Sequence, residues 1–243
     1  MSSLLVQSMS RIEILQPDEQ PRPAGMLAWA FEHRAPMAAL LAAAGIPIVG
    51  ATWVLLSPSH LLSAQMTWDL MFNLAGAWHL RFGHAPHVDF HEPVGTLTFL
   101  LTQAGFWLMG PAPKAVAAGT AIVAAVMFGM ASFVARRRLP LVPAVLFVVF
   151  VCLLVLRPAN VGDQPNAYSF AMTYNRYGWS GLAVLALILF QPADGRRLGD
   201  IVEIAFAAIV LVALFYLKMT YFAVGMAMLP AAFVACDAVR RRW

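Results

Sequence analysis

The chain has 243 residues, 61% of them hydrophobic and 12% charged, with a net charge of +4 and a mean hydropathy of +0.73. Soluble domains carry about 45–50% apolar and about 25% charged residues, so these values exclude an ordinary globule, a disordered chain and a nucleic-acid binder with a broad basic surface. What remains is an all-α polytopic membrane protein, in which Lys and Arg report orientation before they report partners.

In chain order, Met1–Arg34 is a polar lead with Pro17, Pro21 and Pro23 among charges. It reads as a cytoplasmic tail, with a short interfacial helix near Met26–Phe31. Residues 35–243 form a single transmembrane domain with seven apolar runs: Ala35–Leu56, Pro93–Gly110, Ala115–Ala135, Leu141–Leu156, Tyr177–Phe190, Ile201–Leu217 and Thr220–Val239. A bilayer core asks for about 20 apolar residues in a helix, and none of the runs alternates like a barrel strand. Cys152 and Cys236 sit far apart in such runs and read as small buried hydrophobes. With the N-terminus inside and Pro93–Gly110 dipping in without crossing, the cytoplasmic side holds Arg11, Arg22, Arg34, Arg136–Arg138, Arg196, Arg197 and Arg240–Arg242. A seventh crossing would move both arginine triplets outside. The positive-inside rule therefore favours six crossings over seven. Pro93, Gly95, Gly105 and Gly110 suit a re-entrant segment whose backbone is buried by protein. Glu203 and Asp237 are expected at the cytoplasmic interface, and Arg136–Arg138 read as orientation determinants.

Two outer loops follow from six crossings, about residues 57–92 and 157–176. In the first, Met66–Phe82 reads as a helix lying on the outer surface, with Thr67 as a cap candidate, Gly83 as its stop, and Trp68 and Trp78 at the interface. Pro86, Pro93 and Gly95 break any helix beyond it. Asp69, Asp89 and Glu92 are the acids here, and simple solvation is the alternative to function for each. The second loop carries Arg157, Asp163 and Arg176. Asp163 also suits an Asx turn, and Tyr174, Arg176 and Tyr177 also suit an aromatic belt with a basic anchor. Lys218, in a tight turn, either snorkels to head groups or contacts a lipid phosphate.

Trp68-Asp69-Leu70, Ala75-Gly76-Ala77-Trp78, Arg81-Phe82-Gly83, Pro86-His87-Val88-Asp89-Phe90 and Glu92-Pro93-Val94-Gly95 form a series that resembles the N-terminal part of the membrane-embedded type C glycosyltransferases. That superfamily includes the protein O-mannosyltransferases and the aminoarabinose transferase of lipid A. The resemblance covers Gln65–Gly110, and topology alone extends it further. Typical members are much longer, so the chain is similar to their N-terminal half. Where relatives often have a paired acidic motif, this chain has the single acid of Trp68-Asp69.

The resemblance implies an integral protein of the bacterial inner (plasma) membrane that takes a sugar from a polyprenyl-phosphate carrier on the extracytoplasmic side. The acceptor would be a lipid, glycan or protein. It implies Asp69 as general base, with Glu92 and Asp89 as supports. Asp163, Arg157, Arg176, Lys218 and His91 would bind substrate, the cations neutralising the departing phosphate. No cofactor is expected, a divalent metal being the open alternative, and nucleic acid is not a partner.

Other classes compete. His79, His84, His87 and His91 lie close in sequence with Asp89 and Glu92, which suits zinc or non-haem iron, although no compact ligand signature is present. A transporter would place charges at mid-span. A non-catalytic subunit or scaffold fits the short length.

Overall fold

The computed structural model describes residue 33 and residues 36–57, 67–92, 94–157, 172–193 and 197–235. Asp163, Pro93, Cys236, Asp237, Arg196, Arg240–Arg242 and nearly all of the N-terminal lead lie outside these residues. Among the described residues the chain is all-helical: α1 (Met37–Leu56), α2 (Thr67–Arg81), α3 (Leu97–Met109), α4 (Lys114–Arg138), α5 (Leu141–Leu156), α6 (Thr173–Phe190), α7 (Arg197–Leu217) and α8 (Met219–Ala235). Of these, α1, α4 and α7 are long and apolar enough to cross a membrane, and α3, α5 and α8 are shorter apolar helices. This is a helical membrane protein.

The helix read over Met66–Phe82 forms as α2, stopped by Gly83 at φ +81°. The apolar run Pro93–Gly110 gives only the 13 helical residues of α3, roughly 20 Å of rise against a hydrocarbon core of about 30 Å. Thr96 turns into the helix, and Gly110 at φ +76° ends it. Pro47 lies inside α1 and Pro230 inside α8, where neighbouring helices tolerate the missing donor.

Helix α4 is the axis of the bundle and packs against α1, α3, α5 and α6. The core runs along it through Val116, Ala124, Met127, Ala131 and Val134, meeting Val148 and Val151 of α5 and Leu182 and Leu185 of α6. The α3–α4 pair is antiparallel and closely spaced: a Cβ on Gly105 would stand 2.0 Å from the carbonyl oxygen of Ala115. Several polar groups inside return to the backbone or to each other. Thr102 and Thr120 donate to the carbonyls of Thr98 and Val116, and Thr120 Oγ1 meets Tyr177 Oη at 2.7 Å. In a medium without water this satisfaction is obligatory.

The bundle has two polar ends. At one, the α4 C-terminus meets the α6 C-terminus and the start of α7. Arg137 pairs with Asp200 at 2.9 Å and with Glu203 at 3.0 Å, and Arg138 forms a two-point ion pair with Glu203 while also donating to the carbonyl of Gln191. Glu203, expected near the cytoplasmic interface, is 2% exposed and enclosed by these two arginines. Of Arg136–Arg138, read as orientation determinants, Arg136 is exposed while Arg137 and Arg138 are buried in these ion pairs. The cause is the two carboxylates one turn apart on α7, which give two guanidinium groups partners.

Candidate functional site at the Asp69 end

The opposite end gathers α2, the segment before α3, the α6 N-terminus and the α7–α8 turn. Asp69, in the first turn of α2, accepts a hydrogen bond on Oδ2 from the Met172 amide at 2.5 Å. Met172 is the N-cap of α6 with a left-handed φ of +50°. Residues 103 positions apart are thus tied by one carboxylate, which fixes the start of α6 against α2. Asn73 steadies the same turn by donating to the Asp69 carbonyl at 2.7 Å.

The chain between α2 and α3 then crosses to the α7–α8 turn. The Gly95 amide donates to the Leu217 carbonyl at 3.0 Å, and a Cβ on Gly95 would stand 2.0 Å from the Tyr216 carbonyl oxygen. Only glycine permits this backbone-on-backbone approach. It brings Glu92 and Lys218 to one cleft of about 460 Å³, lined also by His87, Thr96, Tyr216 and Thr220. Glu92 is 9% exposed, and its Oε2 has no hydrogen-bond partner among the described residues. Burial holds its carboxyl above the usual glutamate range, because desolvation disfavours the charged form. Lys218 lies 5.0 Å from the centre of the Tyr174 ring, a cation–π contact from α6. Tyr221 on α8 donates to Asn175 on α6 at 2.9 Å and holds the same junction.

The other sequence candidates stand apart from this cleft. Asp89 accepts from the Ala85 amide at 2.6 Å and closes the turn that runs from Ala85 to Phe90. His91 is exposed and does not line the cleft. Arg176 donates to the backbone carbonyl of Arg157 at 3.3 Å, joining the end of α5 to the first turn of α6. Asp163 lies outside the described residues. Among the described residues no group of three or more His, Cys, Asp or Glu side chains converges as a metal site would.

Two members of this end had no signal as such in the sequence. Tyr174 read as belt aromatic, yet it is the surface on which Lys218 rests. His87 read as a member of the histidine cluster, yet it lines the Glu92 cleft. A carboxyl and an ammonium group lining one partly desolvated cleft suit transfer of a proton from a hydroxyl together with charge stabilisation of an anion. No protein-family model, curated protein or solved structure matches the chain.

Proposed function

We propose that the chain is a membrane glycosyltransferase, or its N-terminal module, that moves a sugar from a polyprenyl-phosphate carrier to a hydroxyl acceptor at the extracytoplasmic boundary of the bacterial inner membrane. The observation that carries this reading is Glu92, buried with an oxygen that lacks a partner among the described residues, sharing a cleft with Lys218 at the end where Asp69 ties α2 to α6. In this reading Glu92 takes the proton from the acceptor hydroxyl. The acceptor oxygen forms the new bond to the anomeric carbon, and the bond from that carbon to the phosphate oxygen breaks. The phosphate leaves with the electron pair, and Lys218 balances its charge. Asp69, whose Oδ2 is held by the Met172 amide, positions the start of α6 and stands as the second base candidate.

The lipid tail has a neighbouring place. An apolar pocket of about 190 Å³ between α3, α4, α6 and α7 reaches Leu97 and Leu217, each one residue from Thr96 and Lys218 of the cleft. The acceptor is a lipid, glycan or protein.

The reading includes six crossings with the N-terminus in the cytoplasm. Two contacts support the part of it in which α3 does not cross. The start of α3 is fastened beside the C-terminus of α7, and α3 runs antiparallel to α4, away from the Arg138 end. A reporter fused after Arg138 then reports cytoplasm; an exterior signal contradicts six crossings.

Transfer from radiolabelled polyprenyl-phosphate sugars in membranes tests the function, with wild type compared against Glu92→Gln and Asp69→Asn. Turnover by wild type that falls about 10²–10⁴-fold in Glu92→Gln supports Glu92 as the base. A fall confined to Asp69→Asn moves that role to Asp69. No turnover by folded wild type contradicts an active module and favours a non-catalytic subunit.

A further inference from the structure

Helix α2 ends in a particular backbone motif. The Gly83 amide donates to the Leu80 carbonyl and the His84 amide to the His79 carbonyl, both at 3.1 Å, with Gly83 in the left-handed region. This paired closure is the Schellman arrangement, which presses the side chain three residues inside the helix end against the one two residues beyond it. Two apolar groups ordinarily meet there. Here both positions are histidine, His79 and His84, with their Nδ1 atoms 2.9 Å apart. The His79 ring is further fixed by stacking on Phe90, centroids 4.6 Å apart and planes at 20°. Its partner, His84, faces solvent.

We propose that His79 and His84 form a two-imidazole chelate for a late first-row divalent metal ion, Cu²⁺ above the others. With bonds of about 2.05 Å, nitrogens at this separation subtend about 90° at a metal. That is the cis angle of a tetragonal or square-planar ion and is narrower than tetrahedral zinc requires; imidazole pairs and the affinity order of the divalent ions both favour copper. The carbonyl-rich end of α2 adds attraction for a cation. Since no third side-chain ligand converges among the described residues, water completes the coordination. In the metal-free pair one Nδ1 carries a proton that the other accepts. On metal binding that proton moves to Nε2 of the same ring, and both Nδ1 lone pairs go to the ion. The backbone motif fixes the two positions before metal arrives, so little ordering cost opposes binding.

The test is titration of the purified full chain, carrying no polyhistidine tag, with CuCl₂ followed by electron paramagnetic resonance. The expected result is one Cu²⁺ per chain with hyperfine structure from two nitrogens. Affinity falls at least about tenfold in His84→Ala and in His79→Gln and is unchanged in His87→Ala and His91→Ala. Circular dichroism of each variant confirms retained helix. Equal affinity in His84→Ala and wild type overturns the proposal. So does loss in His87→Ala or His91→Ala, or no binding by wild type.

Discussion

At the Arg138 end two guanidinium groups meet two carboxylates across α4 and α7, and each charge has a partner. At the Asp69 end Glu92 is buried with an oxygen that has no partner among the described residues, and Lys218 rests on a tyrosine ring. Both ends bring charge into an apolar bundle, and desolvation costs are large in either place. Where the charges neutralise one another, the product is a fixed junction between helices. Where they line one cleft, with Glu92 Oε2 lacking a partner among the described residues, the arrangement suits the proposed proton transfer. On the proposed reading, what distinguishes a candidate reactive group here is the lack of a partner among the described residues, not burial alone.

The contrast is broken most strongly from the paired side. Glu203→Leu leaves Arg138, 1% exposed at its side chain, without its carboxylate. Removing one partner of a buried pair costs about 3–5 kcal/mol, so thermal unfolding in detergent drops steeply. Glu92→Gln has the reverse profile. It removes a carboxyl that burial disfavours, so unfolding temperature holds or rises while transfer activity collapses. A stability loss in Glu92→Gln matching that of Glu203→Leu would erase the distinction between the ends.

Gly95→Ala is expected to cost about 1–3 kcal/mol, since a methyl group cannot occupy the space beside the Tyr216 carbonyl without backbone movement. It also separates Glu92 from Lys218, so transfer falls although both side chains remain. Asp69→Asn weakens a charge-assisted hydrogen bond to Met172. About 1 kcal/mol is expected because the site is partly exposed, read as faster amide exchange at the start of α6. pH gives a gentler handle. The folded chain holds the Glu92 proton more tightly than the unfolded chain does. That contribution to stability is therefore fully present below the unfolded pKa and is lost as pH rises through the folded one. Comparison of unfolding temperatures across this window in wild type and Glu92→Gln isolates it.

Much of the architecture was legible in sequence because it follows from local rules. The helix read over Met66–Phe82 forms over Thr67–Arg81, and Gly83 ends it as its φ requires. The weak span beginning at Pro93 is indeed the short one. The pairing of Arg138 with Glu203, 65 residues away, was not legible, because nothing local to either residue names a partner on another helix. Nor was the placing of Glu92 and Lys218 in one cleft, which depends on Gly95 lying against the α7–α8 turn. Asp69, Asp89 and Glu92 looked equivalent as loop acids. What separates them is the partner each finds: a distant amide for Asp69, its own turn for Asp89, and, among the described residues, none for Oε2 of Glu92.

Infrared difference spectroscopy of the carboxyl C=O stretch, recorded through a pH titration of wild type and Glu92→Gln, tests that separation most directly. A protonated-carboxyl band that persists above the ordinary glutamate range in wild type and vanishes in Glu92→Gln is the predicted result. A band set identical in the two proteins, with every carboxyl titrating in the ordinary range, would contradict it.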